Sequence, residues 1–90
     1  MNLINNPIVH EIFKLVDKDR HAFSELVEHL EYTKIELSKY VAQMELTGII
    51  HGRWEQGDNK RWRRYYRATN WEWSRLIRSI IDAEKQEGTE

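Results

Sequence analysis

Residues 33–50 read TKIELSKYVAQMELTGII, and the pattern of the whole chain is clearest here. Thr33 and Glu36 have the spacing of a capping box, in which a hydroxyl and a carboxylate each satisfy an unpaired N–H at a helix start. Apolar residues then recur at the i, i+4 and i+7 spacing of one helical face: Leu37, Val41 and Met44. Gly48 follows the last turn, where glycine tolerates the left-handed backbone that ends many helices. The stretch therefore predicts a helix over residues 34–47.

The residues before this stretch predict two more helices. Asn6-Pro7 is a strong helix start, because asparagine caps well and proline at the first helical position loses no hydrogen bond. Apolar residues with helical spacing predict the first helix over residues 7–17: Val9, Ile12, Phe13 and Val16. A polar connection leads to a short strand at Ala22-Phe23, and Ser24 can cap a helix over residues 24–30. Because about three residues separate that helix from the next, the pair is a helix-turn-helix candidate.

The residues after the third helix change to a strand-like composition. Two aromatic-rich runs flank the turn-forming residues 55–60, which predicts a hairpin over residues 49–68. Alternate residues of its second strand share a face, and the first set is expected to be solvated: Arg61, Arg63, Tyr65 and Arg67. The other set contains Trp62, Arg64, Tyr66 and Ala68. We expect Arg64 to pair with an acidic residue of the domain body.

A fourth helix is predicted at the end of the chain. Thr69 and Glu72 have capping-box spacing and open a helix over residues 70–83. Its apolar residues form a broad stripe: Trp73, Leu76, Ile77, Ile80 and Ile81. The polar residues 84–90 are expected to be a frayed tail.

Composition limits the classes of function that this chain can have. Ninety residues, 40% of them hydrophobic, are enough for one domain over residues 1–90 and too few for two cores. The chain has no cysteine, which excludes disulfides, thiolate zinc sites and thiol nucleophiles. The sequence has neither an apolar run of bilayer length nor the pattern of a signal peptide. We therefore expect a cytoplasmic protein with no membrane partner.

Charge is segregated along the chain, although the net charge is only −1. Residues 51–67 carry six basic and two acidic side chains, a balance of +4. The other 73 residues carry eight basic and thirteen acidic side chains, a balance of −5. A basic hairpin that also contains Trp62, Tyr65 and Tyr66 favours contact with nucleic acid, and the alternative is a solvated or salt-bridged strand.

Catalysis and metal binding find little support in the residue pattern. The four histidines are scattered, and none is three or four positions from another: His10, His21, His29 and His51. The sequence contains no glycine-rich phosphate loop, nucleophile elbow or His-Glu-x-x-His motif. We therefore expect no metal site, no cofactor, no small-molecule substrate and no enzymatic activity.

Four short motifs occur in the order of the predicted elements: Phe23-Ser24-Glu25-Leu26, the ladder Leu30, Leu37, Val41 and Met44, then Gly48-Ile49-Ile50, and finally Tyr66-Arg67-Ala68-Thr69. Together they resemble the winged helix-turn-helix domain of ArsR- and MarR-like transcriptional regulators, over roughly residues 7–82. The resemblance implies a mostly helical α+β fold with a three-helix body, a β-hairpin wing and a C-terminal helix. The cysteine or paired His/Asp ligands of metal-sensing ArsR members are missing, so metal sensing is not expected.

The resemblance also implies a function, that of a dimeric repressor that binds double-stranded DNA. The helix over residues 34–47 would be the recognition helix in the major groove, with these DNA-contacting residues: Thr33, Lys34, Glu36, Ser38, Lys39, Tyr40 and Gln43. The wing would lie on the backbone or in the minor groove, through Arg53, Lys60, Arg61, Arg63, Tyr65 and Arg67. The terminal helices would form a homodimer interface from Ile4, Ile8, Ile12, Trp73, Ile77, Ile80 and Ile81.

A winged-helix module that binds another protein is the alternative. The helix before the recognition helix is acidic, with Glu25, Glu28 and Glu31, and Glu36 adds a fourth carboxylate. Carboxylates repel the phosphates that this helix would pass on DNA. Because a fold does not decide the partner, retention on a DNA column at low salt is the observation that separates the two hypotheses.

Overall fold

The computed structural model describes residues 2–87, which form four helices and a three-stranded antiparallel sheet. The helices are α1 (Pro7–Lys18), α2 (Phe23–His29), α3 (Lys34–Leu46) and α4 (Glu72–Glu87). The strands are β1 (His21–Ala22), β2 (Ile50–Gln56) and β3 (Trp62–Ala68), in the sheet order β1-β3-β2. The predicted α+β class and the order of elements are confirmed. Within residues 2–87, no helix has the length and hydrophobicity needed to cross a membrane.

Local capping determines where α1 and α3 begin and end. The Asn6 side chain accepts hydrogen bonds from the backbone N–H groups of Ile8 and Val9, at 2.9 and 3.3 Å. The Thr33 hydroxyl accepts from the N–H of Glu36 at 3.1 Å. Gly48 has φ of +81°, a left-handed conformation that ends α3 just after Leu46. α3 is therefore one residue shorter than predicted. α1 is one residue longer, since the N–H of Asp19 bonds to the carbonyl oxygen of Leu15 and the helix ends at Lys18.

The predicted boundaries of β1 and α2 were each wrong by one residue. β1 consists of His21 and Ala22 because these two residues pair with β3. Ser24 does not cap α2, which begins at Phe23; the Glu25 carboxylate instead accepts a hydrogen bond at 2.8 Å from the N–H of Ala22. The Ser24 hydroxyl accepts a hydrogen bond from Arg63. Ser24, predicted from local sequence to cap α2, thus contacts a residue of β3 instead.

The start of α4 is also built differently from the predicted capping box. The Thr69 hydroxyl donates to the carbonyl oxygen of Gly48 at 2.6 Å and accepts from the N–H of Trp71 at 3.3 Å. Ser74, fully buried, donates to the carbonyl oxygen of Ile49 at 2.7 Å. These bonds attach α4 to the end of α3, and α4 then begins at Glu72 rather than at residue 70. It continues to Glu87, so residues 84–87 are helical and not frayed as predicted, and residues 88–90 lie outside the described part.

One apolar core joins all four helices to β2. Its buried members are Leu3, Val9, Ile12, Phe13, Val16, Leu26, Leu37, Val41, Met44, Ile49, Ile50, Ile77 and Ile81. Ile12, Ile77 and Ile81 were predicted at a dimer interface, but they are at most 5% exposed and pack inside this single chain. That part of the interface prediction is therefore wrong, because the terminal helices use these side chains to bury each other.

Candidate nucleic-acid interface

One side of the sheet faces solvent, and we call this side the outer sheet face. Arg53 of β2 and Ala22 of β1 both lie opposite Tyr65 of β3. Alternate residues of a strand point to the same side, so the outer sheet face collects His51, Arg53 and Glu55 of β2 and Arg63, Tyr65 and Arg67 of β3. The other side carries Ile50 and Gly52, which are buried against the body.

Glu55 lies on the outer sheet face between two guanidinium groups. Its carboxylate accepts hydrogen bonds from Arg20 at 2.9 Å and from Arg67 at 3.1 Å. The bond from Arg67, followed by that from Arg20, holds the pKa of Glu55 below its ordinary value of 4.5, despite an opposing contribution from desolvation. With Arg53 and Arg63 on the same face, four arginines outnumber this one carboxylate. The outer sheet face therefore keeps a surplus of positive charge.

Tyr65 supports this cationic face from beneath. The Arg20 guanidinium lies 4.2 Å from the centre of the Tyr65 ring, and that of Arg63 lies at 5.9 Å. A cation over an aromatic ring is attracted by the electron-rich face of the ring. Tyr65 is consequently only 6% exposed. The prediction of a solvated set was therefore wrong for Tyr65, whereas Arg61 and Arg67 of the same set are exposed. Its burial also removes Tyr65 from the predicted wing contacts.

The remaining wing cations differ in how strongly they are held. Arg53, Lys60 and Arg61 are exposed, and their side chains have no hydrogen-bond or ion-pair partner among residues 2–87. Arg63 contacts Ser24, and Arg67 contacts the Glu55 carboxylate. Of the five predicted wing cations, three are therefore free to bind an anion and two would have to exchange a bond.

Arg64 lies on the other side of β3 and pairs with Glu45 of α3. This confirms the prediction that Arg64 pairs with an acidic residue of the domain body. The hydrogen bond with Glu45 raises the pKa of Arg64 above its ordinary value. The pair joins the hairpin to the C-terminal half of α3. It also neutralises the carboxylate of α3 that lies nearest to the wing.

Residues on α3 divide into a buried face and an exposed stripe. Leu37, Val41 and Met44 are at most 4% exposed, which confirms the predicted core face. The residues opposite to them lie within about 60° of one another around the helix axis, and we call them the outer stripe: Ile35, Lys39, Ala42 and Leu46. Ile35 is 83% exposed and Leu46 is 81% exposed. The three apolar members were not predicted as a surface, although their spacing at i, i+7 and i+11 forms a second apolar line.

The structure distributes the other predicted recognition residues unevenly. Lys34 and Ser38 are exposed, like Lys39 of the outer stripe, and Gln43 is half-buried. Thr33 and Glu36 are exposed but hydrogen-bonded to each other at the helix start. Tyr40 does not lie on the outward side: it packs against the core, and its hydroxyl accepts a hydrogen bond from Asn6 at 3.3 Å. Its assignment to a solvent-facing contact set is therefore corrected.

The predicted dimer residues that remain outside the core lie at different depths. Trp73 is 47% exposed, and Ile80 is half-buried. Leu76, also 47% exposed, lies between them on the same side of α4. Ile4 and Ile8 are half-buried and pack against the core of their own chain. Of the predicted dimer residues, Trp73 and Ile80 thus stay accessible, and together with Leu76 they define the α4 strip.

The histidines do not assemble a metal site within residues 2–87. The rings of His21 and His29 lie 5.8 Å apart in an edge-on arrangement. In the described part of the chain, no group of three metal-binding side chains surrounds them or any other point. His10 is buried and contacts the carbonyl oxygen of Ile4.

Comparison with known proteins identifies the fold. No protein-family model and no curated protein matches the chain. A PadR-like transcriptional regulator from Bacillus cereus is similar in structure, with a TM-score of 0.76 at 14% identity over 89% of this chain and 82% of that one. The transcriptional repressor BigR from Xylella fastidiosa is also similar, with a TM-score of 0.75 at 15% identity over 98% of this chain and 82% of that one. At these identities the likeness establishes a winged-helix fold.

Proposed function

We propose that this winged-helix chain is a transcriptional regulator that binds double-stranded DNA, with α3 in the major groove and the β2–β3 hairpin along the phosphate backbone. The observation that carries the proposal is the outer sheet face, which holds four arginines and one carboxylate, and that carboxylate binds only two of them. The PadR-like protein and BigR are both described as regulators of transcription. The Gly48-Ile49-Ile50 and Tyr66-Arg67-Ala68-Thr69 motifs support an ArsR- or MarR-like subtype. The regulator would act in the cytoplasm.

Affinity would come mainly from the free hairpin cations. Each arginine or lysine that neutralises a phosphate releases condensed counterions, and this release supplies most of the sequence-independent binding free energy. Arg53 and Arg61 are exposed and unpaired within residues 2–87, so they can bind phosphate without breaking an existing bond. Arg67 would exchange Glu55 for phosphate. Contacts of this kind orient α3 so that its exposed residues reach the base edges.

The test is a DNA-binding titration on a duplex selected from a random pool, repeated at several salt concentrations. Replacing Arg53 and Arg61 by alanine should weaken binding to every sequence. The double variant should also lower the slope of log K against log salt by up to about 1.8, which is about 0.9 for each lost phosphate contact. Arg75→Ala on α4 is the control, because it removes an arginine from an exposed position outside the hairpin and should leave the slope unchanged. Equal salt slopes in all three proteins would refute the proposal.

We also propose that the protein acts as a homodimeric repressor that pairs through the α4 strip. Two-fold dimers present two recognition helices to half-sites about 34 Å apart on DNA. Replacing Leu76 by glutamate should shift the protein to monomer in sedimentation equilibrium, because it introduces a charge into the strip. Ile35→Glu is the control, since it places the same charge on an equally apolar but distant exposed site. A Leu76 variant that sediments like the parent protein contradicts the interface.

Protein binding is the second candidate function. Two exposed glutamates support it, Glu28 of α2 and Glu31 in the connection that follows. Two tryptophans of the hairpin support it as well: Trp54 is 65% exposed and Trp62 is 67% exposed. Aromatic residues of this kind are common at the centres of protein interfaces. A chain that passes through a DNA column at low salt would favour this function over the first.

A further inference from the structure

The outer stripe of α3 is unusual in composition for a helix that would lie against a polyanion. Ile35, Ala42 and Leu46 are all exposed, and Lys39 is the single charged member. An isolated exposed apolar residue is ordinary in a soluble protein. Three of them are aligned here on the one side of α3 that faces away from the core, with Lys39 between them. Such an alignment of exposed apolar side chains favours an interaction site.

The major groove of DNA offers one apolar group on its base edges, the C5-methyl group of thymine. Ile35 and Ala42 are seven residues apart, which is about 10 Å along a helix, or about three base steps of 3.4 Å. Leu46 lies about 16 Å from Ile35 along the axis, or about five steps. The stripe is thus long enough for its apolar members to meet methyl groups at separate base pairs. Lys39, between them, can donate to a guanine edge or a phosphate.

Charge decides between DNA and an apolar protein partner for this stripe. Lys34 and Lys39 are exposed on α3, and the free cations of the hairpin lie on the element that follows it. Glu45, the carboxylate of α3 nearest the wing, is already paired with Arg64. Glu36, the other carboxylate of α3, is exposed and hydrogen-bonded to Thr33, so Lys34 and Lys39 still give the helix a surplus of positive charge. That surplus complements phosphate and not the apolar face of another protein.

We propose that α3 selects A·T-rich duplexes by packing Ile35, Ala42 and Leu46 against thymine methyl groups in the major groove. The proposal rests on the proposed function and names the DNA that the same surface prefers. Replacing thymine by uracil removes only the methyl group, so it tests this contact without altering base pairing.

The experiment compares the selected duplex with copies in which single thymines are replaced by uracil. A thymine in contact with the stripe should lose about fourfold in affinity on replacement, the equivalent of one buried methylene. Ile35→Ala should remove the effect at one base pair and leave it at the others, in a double-mutant cycle. Lys14→Ala, at an exposed position on α1 outside every proposed contact, is the control and should keep every uracil effect. Because Ile35 is 83% exposed, its replacement should leave the thermal midpoint unchanged.

The outcomes distinguish a failure of methyl recognition from a failure of the proposed DNA binding. If no duplex is selected and binding has no salt dependence, the proposed function fails. If a duplex is bound with the expected salt slope but every thymine tolerates uracil, DNA binding stands and methyl recognition is refuted. A change of oligomeric state in the Ile35→Ala protein would also refute it, because the stripe would then be covered by a second copy.

Discussion

Replacing Glu55 by glutamine tests the proposed binding of DNA by the outer sheet face. Glu55 accepts hydrogen bonds from Arg20 and Arg67, so two of the four arginines on this face are held by one carboxylate. Glutamine keeps the shape of the side chain and removes its charge. The Arg67 side chain, 48% exposed, is then free to bind a phosphate oxygen.

The magnitude follows from the counterions that a released Arg67 would displace from DNA. One additional bond between an arginine and a phosphate steepens the slope of log K against log salt by about 0.9. Relative to 1 M salt, that slope is worth about eightfold in affinity at 0.1 M. We therefore expect Glu55→Gln to bind about eightfold more tightly at 0.1 M salt, with the advantage vanishing as salt rises.

Fluorescence anisotropy with a labelled duplex, titrated over a range of salt concentrations, measures both quantities. Glu72→Gln is the matched control, since it makes the same charge change at an exposed position on α4 and should leave the slope unchanged. Weaker binding by Glu55→Gln would refute the reasoning, because it would mean that the carboxylate organises Arg20 and Arg67 rather than competing for them.

The same variant gives a pH dependence of known sign. Arg67 and Arg20 lower the pKa of Glu55 in the folded protein below 4.5. A carboxyl with a lowered pKa stabilises the fold above its ordinary pKa and loses that contribution as pH falls through the folded value. The difference in thermal midpoint between the parent and Glu55→Gln should thus be constant near neutral pH and shrink below about pH 4.5. A difference that grows on acidification would contradict this.

Two further predictions concern stability. Gly48→Ala should destabilise the fold by about 1–2 kcal/mol, because φ of +81° strains any L side chain and the new methyl group would meet Trp71. Gly52→Ala is the control for crowding in the same urea titration, because its new methyl group is also crowded but its φ is not positive. Ile77→Ala should cost about 2–5 kcal/mol by leaving a cavity between α4 and the body, whereas Ile35→Ala on the exposed stripe should cost almost nothing. Equal urea midpoints for the two isoleucine variants would contradict the burial of Ile77.

The accuracy of the sequence-based predictions depended on how local the relevant contacts are. Thr33 caps α3 as predicted, because its partner is three residues away. Thr69 has the same motif, yet its hydroxyl donates to Gly48, 21 positions earlier. A capping box describes only the helix that follows it and contains no information about a carbonyl that folding brings nearby. The predicted start of α4 was therefore displaced while that of α3 was correct.

The solvated face of the hairpin shows the same limit. Alternation correctly separated Arg64 from Arg63 and Arg67, because strand geometry requires it. Alternation could not reveal that Arg20, 45 positions before Tyr65, stacks on its ring. Likewise, helical spacing placed Ile12 and Ile77 on the apolar faces of α1 and α4. It could not indicate that both pack in the core of the single chain rather than against a second copy.

Sequence alone specified the α+β class, the order of elements and the excess positive charge of the hairpin, because capping, periodicity and turn chemistry act over a few neighbouring residues. The tertiary structure was needed to distinguish free cations from paired ones, and core residues from exposed apolar ones. Arg53 and Arg67 look alike in the sequence, but of these two only Arg67 is bound by Glu55. Ile35 and Ile77 are equally apolar, but one is 83% exposed and the other is fully buried. These differences arise from packing between distant segments, which leaves no periodic pattern in the chain.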